Sequence, residues 1–255
     1  MKPLVCVAIL AKQKESILPS WLESLARWDY PKDRIALYIR SNDNTDKTEE
    51  ILRDWVVHNE NKYYEVTSNY QSADMLVKGY DVHEWNPHRF KVLGKIRQDS
   101  VDYAYNSGTD FYFTCDVDNF LLPDTLSRLV EFNQPVVAPL LYDAGSTAYS
   151  NYHNIATPNG YYHDNPHYYT ILNGQVPGLI KCDVVHCTYL IRRDVMPLVR
   201  YQDGTEDYEY VIFSRELREL DVPQYLDNMR VSGYLTMSED LQAVMKKMEI
   251  LNGNA

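Results

Sequence analysis

Short, almost unbroken apolar runs alternate with longer stretches of helical period along the first half of the chain. Residues 4–11 (LVCVAILA) are apolar without interruption, the pattern of a strand buried on both faces. Residues 19–28 set Trp21, Leu22, Leu25 and Trp28 at helical spacing, with Pro19 near the start. A second strand is predicted over 35–40. Thr45 or Asp46 caps a helix running to about residue 59, with Glu49 and Glu50 in the first turn, where the helix dipole favours acids. A weaker strand follows over 63–67. Residues 90–106 have helical period and stop at Gly108, then come a strand over 110–115, a short helix over 123–132 and a strand over 136–141. This order predicts an α/β protein with a Rossmann-like, mostly parallel central sheet and helices on both faces.

The pattern then changes. Residues 142–182 are rich in Tyr, Asn, Gly, Pro and His and carry little periodicity. A strand is predicted over 184–191, a helix over 206–220 and an amphipathic terminal helix over 238–250. No repeat and no linker is visible, so residues 1–255 read as one domain.

Composition narrows the function. A formal net charge of −11 and a pI of about 5.1 argue against binding a nucleic-acid backbone, which wants a basic face. An acidic surface gives solubility and helps attract a Lys-rich partner. The 45% hydrophobic content supports a real core. None of the four cysteines sits in a CxxC pair, and a zinc site from Cys182, His186 and Cys187 lacks a second ligand pair. The apolar amino-terminal run is short, lacks a small-residue cleavage site and reads as a first core strand rather than a signal peptide. No apolar stretch approaches the roughly 20 residues that span a bilayer, so a soluble protein with no membrane partner is expected. The 22 Tyr against 6 Phe put hydroxyls on most aromatic faces, which suits polar, ring-shaped ligands.

The most informative stretch is FYFTCDVDN, residues 111–119. Two carboxylates one residue apart, Asp116 and Asp118, close a buried strand and can hold a hard divalent cation against a diphosphate. A solvated strand-end turn is the bland alternative. The loop 41–48 (SNDNTDKT) offers Ser41, Asn42, Asn44 and Asp46 as a nucleoside pocket, or serves only as a capping loop. On the preceding helix, Lys95 and Arg97 can neutralise phosphate, or merely form a solvated face. His186, in VVHCT, is a core histidine, a metal ligand or an acceptor contact. Glu206 and Asp207 open a predicted helix, as dipole-stabilising acids or as a general base toward a hydroxyl. GYYHDNPHYY, residues 160–169, suits sugar stacking or is a Tyr-rich surface loop.

These pieces follow the order of GT-A glycosyltransferases. The chain also resembles the amino-terminal glycosyltransferase domain of the procollagen galactosyltransferases, which are close to the cerebral endothelial cell adhesion protein. VAILAKQKESILPSWLESL, DYPKDRIALYIRSNDNTDKT, KIRQDSV, DFYFTCDVDNFLLPDTL, PVVAPLLYDAGSTAYSN, GYYHDNPHY, VVHCTYLIR and TEDYEYVIFSREL carry the likeness, in order, across nearly the whole chain. The resemblance implies a GT-A fold, Mn²⁺, and UDP-glucose or UDP-galactose as donor. The implied acceptor is hydroxylysine or galactosyl-hydroxylysine in collagen or a collagen-like protein. Residues 1–120, approximately, then form the nucleotide-sugar half and 121–255 the acceptor half.

Carried over by position, Asp116 and Asp118 are the metal–diphosphate pair, and His186 falls in a VHS/T-like strand as a candidate further metal ligand. Ser41, Asn42, Asn44 and Asp46 flank the uridine, and Ala8, Lys95, Arg97 and Val117 join the donor-binding set. Glu206-Asp207 stands where relatives have an FDD-like motif, with Asp207 the candidate base and Glu206 the fallback. Animal members carry a second transferase domain and an ER-targeting signal, and neither is expected in this chain. A stand-alone enzyme of a microbe or of a virus-infected host's cytoplasm, or a trimmed ER-lumenal form, is therefore expected, with monomer and homodimer both open. Rival readings are a non-catalytic binding or adhesion module on the same fold, and a metal-dependent nucleotidyltransferase.

Overall fold

The computed structural model describes residues 1–74 and 86–253. Its elements are β1 (Val5–Ala11), α1 (Leu18–Arg27), β2 (Ile35–Ser41), α2 (Thr48–Asn59), β3 (Glu65–Asn69), α3 (Pro87–Asn106), β4 (Phe111–Cys115), β5 (Asn119–Leu121), α4 (Thr125–Phe132) and β6 (Val136–Asp143). Then follow β7 (Tyr152–His153), α5 (Pro166–Leu172), β8 (Leu179–Cys182), β9 (Val184–Val185), β10 (Thr188–Arg192), α6 (Glu209–Glu219), β11 (Gln224–Leu235) and α7 (Leu241–Gly253).

Among the described residues one nine-stranded sheet runs β3-β2-β1-β4-β10-β6-β11-β5, with β8 also paired to β11. Strands β1, β2, β3, β4, β6 and β11 point one way, while β10, β8 and β5 run against them. The sheet is thus mostly parallel, as the alternation of strand and helix predicts, and strands from both halves of the chain share it.

Strand alternation sorts the core into two layers. Val5, Val7 and Ile9 of β1, with Phe111 and Phe113 of β4, face one cluster that packs on α1, α2, α4 and α7. Cys6, Ala8 and Tyr112 face the other, against residues of α3, α5 and α6. Helices therefore cover both faces. Among the described residues no helix is long and apolar enough to cross a membrane.

Two predicted elements differ from those observed, and two stretches hold elements that the sequence does not predict. The continuous strand over 184–191 is broken: β9 ends at Val185 and β10 begins at Thr188, because Cys187 adopts a left-handed φ of 63°. The helix predicted from 206 begins at Glu209, which leaves Glu206 and Asp207 in the preceding loop. The aperiodic region 142–182 contains β7, α5 and β8. A twelve-residue strand, β11, has no counterpart in the sequence prediction.

Gly233 lets β11 and β5 meet. A Cβ there would lie 2.1 Å from the Phe120 carbonyl oxygen, a backbone atom that has no way to swing aside. Gly233→Ala is expected to destabilise the fold by about 1–3 kcal/mol or more in urea denaturation, as overpacking does.

Candidate functional site

The carboxyl ends of β1, β2, β4 and β11 lie at the same end of the sheet as the start of antiparallel β10. Ligands of open α/β sheets bind at such an end. Five loops meet there: residues 12–17, 42–47, 116–118, 186–187 and 236–240. Gln13 (φ 55°), Asp43 (φ 50°), Cys187 (φ 63°) and Glu239 (φ 55°) are all non-glycine residues in the left-handed region, and all sit in these loops. Such strain costs on the order of 1–3 kcal/mol per residue and collects at functional sites.

Asp116 and Asp118 are each about one-quarter exposed, 26% and 28% at the side chain. The turn bearing them is anchored on both sides. Asp116 N donates to Cys187 O at 3.0 Å, and Thr236 N donates to Asp118 O at 3.1 Å. Behind it, Asn119 Nδ2 donates to Thr188 Oγ1 at 2.7 Å and Trp21 Nε1 to Asn119 O at 3.0 Å.

Each aspartate has its own cation. Arg97, on α3 and 7% exposed at the side chain, gives Nη2 to Asp116 Oδ1 at 2.9 Å and Oδ2 at 3.2 Å. Its Nη1 donates to Thr114 Oγ1 at 3.1 Å and its Nε to Glu209 Oε1 at 3.2 Å. Glu209 is 6% exposed at the side chain. Burial would weaken the guanidinium charge, but Asp116 and Glu209 hold it well above its ordinary range. Burial pushes the Glu209 carboxyl up while Arg97 opposes it. Both shifts run upward, which favours the charge of Arg97 and opposes that of Glu209: Arg97 serves two carboxylates, while Glu209 has Arg97 alone, next to a repelling Asp116.

Asp118 accepts from Lys14 Nζ at 2.9 Å, and the same ammonium donates to Glu239 Oε1 at 2.7 Å. Burial and the neighbouring Asp116 push the Asp118 carboxyl up, against the pull of Lys14. Burial alone would lower Lys14, but Asp118 and Glu239 outweigh it and raise it. The ion pair thus favours the ammonium of Lys14, while the anionic form of Asp118 is only partly compensated.

The predicted nucleoside loop is stitched to the loop after β1. Gln13 N donates to Asn44 Oδ1 at 2.9 Å, Thr45 N to Gln13 Oε1 at 2.8 Å, and Lys14 N to Thr48 Oγ1 at 2.7 Å. Asp46 accepts from Thr48 N at 3.0 Å and from Glu15 N at 3.1 Å, which ties the start of α2 to the neighbouring loop; the N-cap position itself is Lys47, with no side-chain cap, rather than Thr45 or Asp46. Asn44 Nδ2 donates to the buried Ser41 Oγ at 2.8 Å. Asn42 is buried and donates to Asp43 at 2.9 Å. Asp43 also accepts from Ser72 and from the backbone of Ala73 and Asp74, and these bonds outweigh its burial and bring its carboxyl down to about 2.

A second cluster begins at His186, next to Cys187, whose carbonyl anchors the aspartate turn. His186 is 3% exposed and His153 7% exposed, with ring centroids 5.5 Å apart. Tyr149 and Tyr210 pack on His186, and Tyr162 and Tyr210 on His153. His186 Nδ1 meets Cys187 Sγ at 2.9 Å, while His186 Nε2 and His153 Nδ1 are buried with no hydrogen-bond partner. Burial favours the neutral form of both rings: it lowers His153 to about 4 and holds His186 well below the ordinary imidazole range. Two orphaned ring nitrogens inside a tyrosine box are polar groups set for a ligand or water.

The remaining predicted residues are scattered. Asp207 accepts from Tyr161 Oη at 2.7 Å and Arg215 Nη1 at 2.9 Å, which hold its carboxyl below the usual range. Glu206 is 68% exposed at the side chain and pairs with Lys91 at 3.4 Å. Lys95 is 68% exposed and pairs with Asp99 on the solvated face of α3. Ala8 and Val117 are buried in the core. Among the described residues no three His, Cys, Asp or Glu gather to hold a metal ion, so His186 is not grouped with Asp116 and Asp118. The aspartates still fit a hard divalent cation: they are oxygen donors, partly exposed, and Asp118 already binds an ammonium where such a cation would be neutralised. Lys14, Glu209, Glu239 and His153 are members of this end that the sequence reading lacks.

Solved structures place the fold in a class. The chain is similar to S. aureus TarS residues 1–349 in complex with UDP-GlcNAc, with a TM-score of 0.58 at 16% identity over 95% of this chain and 60% of that one. It is likewise similar to the mannosyltransferase PcManGT of Pyrobaculum calidifontis in complex with GDP-Man and Mn²⁺, with a TM-score of 0.54 at 12% identity over 97% and 60%. The architecture is the GT-A glycosyltransferase fold. The sequence goes further. The profile of the glycosyltransferase family 25 N-terminal domain matches residues 2–251, and the chain belongs to that family.

Procollagen galactosyltransferase 1-A of Xenopus laevis is 33% identical over 242 residues, covering 91% of this chain and 39% of the relative. A bovine relative, named probable inactive glycosyltransferase 25 family member 3, is 34% identical over 251 residues, covering 92% and 41%. The chain spans about two-fifths of the length of these curated relatives.

Proposed function

We propose that the chain transfers a hexose from UDP-glucose or UDP-galactose to hydroxylysine, or to galactosyl-hydroxylysine, in collagen or a collagen-like protein. The observation that carries this reading is the Asp116–Asp118 turn at the carboxyl end of β4, with a basic side chain on each carboxylate. Asp116 and Asp118 hold the divalent cation, and Mn²⁺ when bound supplies Lewis-acid neutralisation of the diphosphate. Arg97 orients Asp116, and Lys14 adds positive charge beside the leaving group. Ser41, Asn42, Asn44 and Asp46 flank the uridine. Neutral His186 and His153 offer their unpartnered nitrogens to sugar hydroxyls, with tyrosine faces around the ring. Asp207 stays ionised and weakly basic because Tyr161 and Arg215 hold it. That suits it to orient an acceptor hydroxyl or amine more than to keep a proton.

The test is mass spectrometry of a hydroxylysine peptide, bare or galactosylated, incubated with Mn²⁺ and each UDP-hexose. A gain of one hexose in any combination supports the reading and names donor and acceptor together. The second reading, a non-catalytic module on this fold, draws on the bovine relative's name. Folded protein that binds UDP but adds no hexose in any of the four reactions selects it.

A further inference from the structure

The two aspartates are neutralised by very different cations. Arg97 is bolted in place by Thr114 and Glu209 as well as Asp116, and is almost wholly buried. Lys14 is 16% exposed at the side chain and divides its ammonium between Asp118 and Glu239, at 2.9 and 2.7 Å. Glu239 is itself placed: its φ is 55°, and its second oxygen accepts from Ser16 Oγ at 3.1 Å. The Lys14 backbone is fixed through Thr48 and its neighbours through Asn44 and Asp46. The ammonium is therefore delivered to Asp118 by a built loop rather than by a wandering surface side chain, and it has a second carboxylate to fall back on.

We propose that Lys14 is a positioning residue that competes with the divalent cation for Asp118, and that Glu239 sets the strength of that competition by sharing the ammonium. The proposal rests on the reading of Asp118 as a metal ligand. A cation and an ammonium at one carboxylate oxygen repel each other, so they cannot both hold Asp118 at full strength. Without donor, Lys14 keeps the turn neutral and metal affinity low. With donor present, the diphosphate brings negative charge that favours both cations, and Lys14, retained by Glu239, stays beside it. Metal and nucleotide should then bind with positive coupling.

The experiment is a titration of nucleotide-free protein with Mn²⁺, read as the loss of the free-ion signal in electron paramagnetic resonance. Wild type, Lys14→Met, Lys14→Arg, Glu239→Gln and Asp118→Asn are compared, each checked for folding by circular dichroism. Lys14→Met is expected to bind Mn²⁺ about tenfold tighter or more, since the competing charge is gone. Lys14→Arg returns the affinity toward wild type. Glu239→Gln binds several-fold more weakly, because the whole ammonium then falls to Asp118. A residue that only braced the loop would weaken binding in both the Lys14→Met and Glu239→Gln variants. Lys14→Met affinity equal to or below wild type overturns the proposal. If Lys14→Met does not fold, the sign for Glu239→Gln decides: tighter or unchanged binding overturns it. Wild-type affinity in Asp118→Asn, or no Mn²⁺ binding by any variant, overturns the metal reading of Asp118 and this proposal with it.

Discussion

Replacing Arg97 by methionine is expected to remove about 3–5 kcal/mol of stability, the range for breaking a buried charge network by deleting one partner. The side chain is 7% exposed and donates to Glu209, Thr114 and both oxygens of Asp116. Methionine fills much of the volume but leaves Glu209, 5% exposed, as a buried anion with no cation. The pH dependence follows from the sign of that carboxyl's shift. Its folded pKa lies above the ordinary 4.5, chiefly through burial, with Arg97 opposing the rise. Between 4.5 and the raised folded value the native state binds more protons than the unfolded chain, so stability rises as pH falls through that window. Removing Arg97 widens the window, and the variant's deficit should shrink between pH 7 and pH 5. Urea denaturation at both pH values checks this. Glu209→Gln in the Arg97→Met background should recover much of the loss, because the orphaned charge goes with it. Arg97→Lys should recover little, since an ammonium lacks the fork that reaches Glu209, Thr114 and Asp116 together. Equal deficits at both pH values would remove Glu209 as the cause.

Much of the fold is legible because period and burial agree. The run 4–11 is apolar on both faces, and β1 sends Val5, Val7 and Ile9 to one cluster and Cys6 and Ala8 to the other. Strand β11 escapes for the opposite reason. It buries Asp227, Asn228 and Ser232, and those polar letters erase the apolar signal. Tertiary partners make that burial tolerable: Arg128 pairs with Asp227, and Asn228 donates to Ile171 O and Val176 O. No local pattern announces such partners. The break between β9 and β10 is similar. Thr188 N donates to His186 O at 2.7 Å across a turn that needs Cys187 in the left-handed region, and cysteine gives no hint of it.

The site divides along the same line. The Asp116–Asp118 turn and the loop after β2 follow from strand ends, and both reach the expected end of the sheet. The residues that tune them do not declare themselves by motif. One signal was present all the same. Arg97 lies seven residues from Phe90 and from Ala104, on the buried stripe of α3, and Glu209 lies four from Phe213 and eight from Leu217, on the buried stripe of α6. Charges on two apolar stripes need partners once buried, and Arg97 and Glu209 meet that need in each other. Lys14 and Glu239 have no such signal, because they sit in loops and meet across 225 residues of sequence. The sequence picks out His186 as a core histidine, a metal ligand or an acceptor contact but gives His153 no motif, and only the structure shows a nitrogen of each without a partner.

Asp118→Asn is expected to lower hexose transfer by about a thousandfold or more while leaving the fold nearly intact. Loss of charge stabilisation at a developing anion has that scale, and loss of a metal ligand adds to it. The stability effect should be small, within about 1 kcal/mol, because the side chain is 28% exposed and its partner Lys14 keeps Glu239. Asp116→Asn makes a useful contrast. It removes the same kind of ligand but also withdraws an anion from Arg97, which must then rely on Glu209 alone. It should therefore lose activity to a similar degree and some stability as well. Transfer is followed as UDP released and hexose gained by the acceptor peptide, and stability by thermal melting. Retention of a tenth of wild-type activity in Asp118→Asn would take the pair out of the chemistry and leave it a structural turn. A large loss of activity in a folded Asp118→Asn protein, with UDP affinity falling in step at saturating Mn²⁺, ties the carboxylate to the diphosphate rather than to the acceptor.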